Sequence, residues 1–282
     1  MIINTNKTPG PIGIFDSGYG GLTILSEIKN AMPDYDYLYL GDNARAPYGN
    51  RSYELVYKFT LQAVKWFFSQ GCQLVIIACN TASAKALRNI QRNDLPKIDS
   101  DKRVLGVIRP TTELIANYTQ TGHVAVLGTE GTIQSRSYNI EIEKLHPQLS
   151  ITTEACPMWV PLVEYGEYDK PGADYFVKQH IDNILSKDQQ IDAIILGCTH
   201  YPLLLQKIKQ YTPKDVTLIS QGEHVAQSLK NYLKRHPEMD IFCSKNNKRL
   251  YYTTESSDKF KYFASIFLNE VIEVEKVNIE IN

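Results

Sequence analysis

The chain has 282 residues, enough for two domains at roughly 150 residues each, and either could bury a substantial core without disulfides. Its 30 Lys and Arg against 31 Asp and Glu leave a net charge of −1, so no bulk electrostatic attraction to nucleic acid or an anionic membrane is expected, and no apolar run approaches the roughly 20 residues that span a bilayer. The opening MIINTNKTPGP lacks the basic region and apolar core of a secretory signal, so a cytoplasmic address is expected, and the five cysteines (Cys72, Cys79, Cys156, Cys198 and Cys243) are too irregularly spaced for a disulfide framework.

In chain order, a β-rich run ending in Gly13-Ile14-Phe15 breaks at Asp16-Ser17-Gly18-Tyr19-Gly20-Gly21 and passes into a helical stretch, Leu22 to Lys29. Tyr37 to Leu40 reads as a strand and residues 41–49 as a polar loop. From Ser52 to Gln70, Val56, Phe59, Ala63 and Phe67 recur at helical spacing, and Gly71 stands where a C-terminal glycine cap belongs. The continuous apolar runs at Leu74–Ala78, Val104–Ile108, Val124–Leu127 and Ala193–Leu196 predict strands buried on both faces. Helical patterns such as Thr132–Leu145 and Tyr175–Leu185 separate them, which argues an α/β chain with parallel sheets. In the tail, Phe260, Phe263, Ala264 and Phe267 form a helical stripe, and Val277, Ile279 and Ile281 alternate as in a strand that could close back on the first domain.

A weak internal echo runs through this pattern. The segment beginning Ile12-Gly13-Ile14 resembles that beginning Val124-Ala125-Val126 at an offset of 112, and Val75 to Cys79 resembles Ile194 to Cys198 at 119. Two similar offsets suggest a duplicated domain.

Within the echo, Cys79 and Cys198 each end a buried strand and precede a predicted helix start, at Asn80-Thr81 and at Thr199-His200-Tyr201-Pro202. A helix N-terminus favours a thiolate, and strand C-termini are where open α/β sheets bind ligands. Cys72, Cys156 and Cys243 lack this setting and are read as structural. Close metal-ligand pairs are missing, so no metal site is expected. Two thiols on opposite faces of a small molecule can invert a stereocentre: one as thiolate removes a proton while the other as thiol returns one to the far face. No external cofactor is required. Asp16 and Ser17 could orient an amino group and a carboxylate, though Asp-Ser-Gly is also an ordinary turn sequence. His200 could assist Cys198 electrostatically. The glycine-rich turn matches neither the G-x-G-x-x-G nor the P-loop fingerprint.

Together the motifs resemble the glutamate racemases of the aspartate/glutamate racemase family. The resemblance is carried by IGIFDSGYGGLTIL from residue 12, APYGNRS from 46, VIIACNTASA from 75, GVIRPT from 106, VAVLGTEGTIQSRSY from 124, ACPMWVPLVEYGE from 155 and AIILGCTHYPLLL from 193. It implies that Cys79 abstracts the proton of D-glutamate and Cys198 that of L-glutamate. It also implies that Asp16, Ser17, Tyr48, Gly49, Asn80, Thr81, Thr199 and His200 line the substrate, with Asp42 and Glu164 in support. Two pseudo-symmetric α/β domains would hold the active site between them: residues 1–103 plus 214–282, and residues 104–213. A homodimer supplying D-glutamate for peptidoglycan in a bacterial cytoplasm is implied as well. Two stretches depart from the family pattern: Ile108-Arg109-Pro110, and Leu218-Ile219-Ser220-Gln221-Gly222 in place of the more usual Ile-Asp-Ser. Aspartate racemisation is the nearest rival reading. A cysteine hydrolase using Cys198 with His200, which would leave Cys79 idle, and a two-lobed binding protein are the others.

Overall fold

The computed structural model describes residues 8–279. Among the described residues, ten strands form two all-parallel sheets. Strands β1 (Ile12–Asp16), β2 (Tyr37–Gly41), β3 (Leu74–Ile77), β4 (Arg103–Gly106), β9 (Arg249–Thr253) and β10 (Glu275–Lys276) make a six-stranded sheet in the order β10-β9-β2-β1-β3-β4. Strands β5 (His123–Gly128), β6 (Ser150–Ala155), β7 (Ala193–Gly197) and β8 (Thr217–Ile219) make the second, in the order β6-β5-β7-β8. The run β2-β1-β3-β4 and the run β6-β5-β7-β8 share one winding, and the echoed segments occupy equivalent strands, β1 with β5 and β3 with β7.

The continuous apolar runs are strands because helices cover both faces of each sheet. Along β3, Leu74 and Ile76 enter one apolar cluster and Val75 and Ile77 the other; along β7, Ile194 and Leu196 divide from Ala193 and Ile195 in the same way. Helix α1 (Gly21–Ala31) packs Leu22, Leu25 and Ile28 on one face of the first sheet, and α2 (Tyr53–Ser69) packs Val56, Ala63 and Phe67 on the other. Ser52 caps α2 by accepting the Leu55 N–H at 3.3 Å, and Gly71, at φ +88°, makes the left-handed exit that the sequence predicts.

Several expectations are corrected. The pattern over Thr132–Leu145 is not one helix: it breaks between Glu130–Gln134 and Ser137–Leu145, where Arg136 adopts φ +56° and the Ser135 hydroxyl accepts the Ser137 N–H at 3.1 Å. The strand expected at Val104–Ile108 stops at Gly106, because the chain there leaves the first sheet and Ile108 opens a short helix. The tail strand is Glu275–Lys276 rather than the alternating residues after it; Val277 and Ile279 pack under the first sheet, and Ile281 lies outside the described residues. Val104–Gly106 pair with β3 in the first sheet and Thr217–Ile219 with β7 in the second. No helix among the described residues is long and apolar enough to cross a membrane.

Candidate active site

Both echoed cysteines emerge at the C-terminal ends of equivalent strands, and each thiol is 6% exposed. Cys79, rather than Asn80, is the N-cap of α3 (Asn80–Lys85): its sulfur accepts the Ala82 N–H at 3.5 Å. Its thiol also donates to the Ser17 hydroxyl at 3.4 Å. Burial pushes the Cys79 thiol up to about 12; the neighbouring Asp16 and Cys198 charges add to this, while Ser17 and the Ala82 amide oppose it. Cys198 has a different setting from the one expected. A turn and a 3-10 segment, Tyr201–Leu204, follow it instead of an α-helix start, so its local charge comes from a side chain. His200 Nδ1 lies 3.8 Å from the Cys198 sulfur, and His200 Nε2 lies 3.1 Å from a Glu164 carboxylate oxygen. Burial alone would lower the His200 pKa, but Cys198 and Glu164 together hold it well above the ordinary imidazole range. These two partners favour the charged form of His200, which is aimed at a sulfur on one side and a carboxylate on the other.

Asp16 ends β1 and is fully buried. One carboxylate oxygen accepts the Gly18 N–H at 2.8 Å and the other accepts the Thr199 hydroxyl at 3.3 Å. Its pKa is raised because burial outweighs the His200 charge and the Gly18, Gly21 and Thr199 hydrogen bonds. The loop after Cys198 thus reaches the end of β1 in the other lobe. The first turn of α3, directly after Cys79, makes the converse crossing: the Thr81 hydroxyl lies 2.9 Å from that of Thr129 just past β5, and nearby the Gly131 N–H donates to the Gly49 carbonyl at 2.8 Å. The structure brings together both thiols with Asp16, Ser17, Thr199, His200 and Glu164. Tyr48 stands one step back, its hydroxyl donating to Asp42, which also accepts from Arg45 Nε at 2.7 Å and from Thr254 at 2.9 Å.

Other residues become visible only in the fold. Gln221, Tyr138 and Asn80 share a buried hydrogen-bond ring, although Gln221 is 141 residues from Asn80 and nothing local marks it except its departure from Ile-Asp-Ser. Gly20 sits where a Cβ would lie 2.4 Å from Thr199 Oγ1 and 2.5 Å from His200 Nδ1. Cys72, Cys156 and Cys243 are free, buried thiols within the apolar clusters. Arg109 is exposed and pairs with Glu113 at 2.8 Å. It borders a cavity of about 540 Å³ at the junction of the lobes that touches neither thiol.

The Asp/Glu/Hydantoin racemase family model matches residues 22–229. The chain is 38% identical to a glutamate racemase of Persephonella marina, an alignment covering 95% of this chain and 97% of that one. Among solved structures, a glutamate racemase isoform from Bacillus anthracis superposes with a TM-score of 0.86 at 36% identity, covering 95% of this chain and 97% of that one. A glutamate racemase of Francisella tularensis, solved in complex with D-glutamate, superposes with a TM-score of 0.85 at 32% identity over 96% of this chain and 98% of that one.

Proposed function

The chain belongs to the Asp/Glu/Hydantoin racemase family, alongside the glutamate racemases, and we propose on that premise that it interconverts L- and D-glutamate by proton transfer between Cys79 and Cys198. The observation that carries the reading is the pair of thiols at equivalent ends of β3 and β7, each with its own polar partner. Asp16 and Ser17 would hold the substrate amino group and carboxylate at the end of β1. Asn80, Thr81 and Thr199 would supply polar contacts from the two thiol loops, and residues 47–49 would contribute through their backbone because the Tyr48 hydroxyl is committed to Asp42.

For L-glutamate, the Cys198 thiolate takes the Cα proton and the electron pair stays on carbon. The Cys79 thiol then gives its proton to the opposite face, yielding D-glutamate and the reversed thiol pair. Two features support a resting enzyme poised for the L-substrate: a protonated His200 beside the Cys198 sulfur, and a Cys79 thiol held protonated by burial and by Asp16. His200 and Glu164 hold charge next to the base, so neither thiol needs a metal or a pyridoxal group to act. The two lobes are read as the two domains, and the wider role as D-glutamate supply for peptidoglycan by a cytoplasmic homodimer.

Incubating L- or D-glutamate with the enzyme in D₂O under reducing conditions, without added pyridoxal phosphate or metal, should bring deuterium to Cα and abolish optical rotation. Cys79→Ala and Cys198→Ala should each stop racemisation, whereas Cys72→Ala should keep it. Normal turnover in Cys79→Ala would instead favour a one-thiol hydrolase, and exchange on aspartate in place of glutamate would reassign the substrate.

A further inference from the structure

We propose that Gln221 is a positioning residue for the reaction, fixing which way the Asn80 carboxamide faces beside Cys79 through a closed ring of hydrogen bonds. The inference rests on the racemase reading above. The Gln221 Nε2 donates to the Val107 carbonyl at 3.1 Å and to the Tyr138 hydroxyl at 2.8 Å, with Thr111 Oγ1 also 3.3 Å away. The Tyr138 hydroxyl donates to Asn80 Oδ1 at 2.7 Å, and Asn80 Nδ2 donates back to Gln221 Oε1 at 2.6 Å. Asn80, Tyr138 and Gln221 are all buried.

The direction of this ring is dictated by one backbone atom. A carbonyl can only accept, so the Gln221 atom facing Val107 must be nitrogen. With Gln221 donating to it, the Tyr138 hydroxyl spends its single proton on Asn80, which must then offer its oxygen. That leaves the Asn80 nitrogen to meet Gln221 Oε1. The opposite rotation of any member sets two acceptors or two donors face to face in a buried site. Asn80 retains one N–H and one lone pair, and the ring decides which side of the carboxamide carries each.

The same ring ties the site to the junction between the lobes. Val107 lies where the chain leaves the six-stranded sheet after β4, and Gln221 lies where it returns after β8. Asn80 directly follows Cys79, and Tyr138 belongs to the helix Ser137–Leu145 of the other lobe. Both crossings therefore bear on the residue next to a reacting thiol.

The experiment is a double-mutant cycle on kcat/KM for glutamate, read by deuterium incorporation so that slow variants register. Gln221→Met, which keeps the side-chain length and removes both polar atoms, should lower kcat/KM about tenfold in the wild-type background. In an Asn80→Ala background the same change should cost less than about twofold, because Gln221 acts through Asn80. A merely structural Gln221 would give equal losses in both backgrounds, and that result, or no loss in the wild-type background, overturns the assignment. If Gln221→Met does not fold, Tyr138→Phe opens the ring at its hydroxyl and enters the same cycle. A wild-type enzyme inert toward glutamate would sink the racemase reading instead. The cycle read by melting temperature would still show coupling of Gln221 to Asn80 if the ring is as described, and strict additivity there would refute it.

Discussion

Asp16 is the residue whose burial costs the molecule most visibly. Its carboxyl is fully enclosed and its pKa is raised from 3.8, chiefly by burial, so folding favours the protonated form. Stability from this group is therefore fully present below about pH 3.8 and is lost as pH rises through its raised native pKa. Asn at this position can still accept the Gly18 N–H and can donate to Thr199. Asp16→Asn should thus raise the melting temperature at pH 7 by about 2–4 °C, with the gain shrinking as pH falls toward 4, while turnover drops about a hundredfold. Scanning calorimetry across pH, beside the racemisation assay, checks both halves; a destabilised Asn variant would show that the anion is fully compensated by His200. The residue types at Asp16, Cys79, Cys198 and His200 were legible in the sequence because each falls at a strand end. Their charge relations were not, since Glu164 meets His200 across 36 residues and Gln221 meets Asn80 across 141.

Among elements, the legible ones were those whose composition alone fixes their surroundings. The runs at β3 and β7 are apolar throughout because both faces are covered, and Ser52 and Gly71 bracket α2 with their own capping chemistry. The strands β6, β8 and β9 escaped because polar residues interrupt their runs; β8 is an edge strand of three residues, and β9 owes its place to pairing with β2. The Asp-Ser-Gly turn before α1 has an ordinary sequence but a specific geometry. Gly20→Ala would place a methyl against Thr199 and His200, atoms of the opposite lobe held by hydrogen bonds, so we expect kcat/KM to fall about ten- to a hundredfold with little change in secondary structure. Gly172 is the control: nothing lies within 4 Å of its added Cβ, and Gly172→Ala should leave turnover unchanged and stability equal or higher. Equal losses in the two variants, by steady-state kinetics and far-UV circular dichroism, would remove the steric argument.

At the scale of the whole molecule, both echoed thiols are nearly buried where the lobes meet; a cavity of about 460 Å³ lined by Thr23, Thr199 and Gln221 reaches Cys198, while the crossed contacts at Thr199–Asp16 and Thr81–Thr129 hold the lobes together over the pair. A maleimide should modify Cys198 well before Cys79, whose thiol is held protonated, and saturating glutamate should slow both reactions, as read by peptide mass spectrometry over time. Protection of one thiol alone would mean that bound glutamate does not lie between the two. The shared winding of β2-β1-β3-β4 and β6-β5-β7-β8 has a consequence of another kind. Under the proposed two-thiol reaction, each of the two like-wound lobes would supply one acid/base group to its own side of the planar intermediate. Mirror-image amino acids have equal free energy in water, and the ratio of kcat/KM in the two directions is therefore pinned at unity whatever surrounds each sulfur. Unequal neighbours, Ser17 at one thiol and His200 at the other, can shift only how tightly each hand is held and how fast it turns over once bound. Differences between the two lobes can tune saturation while the position of equilibrium stays fixed.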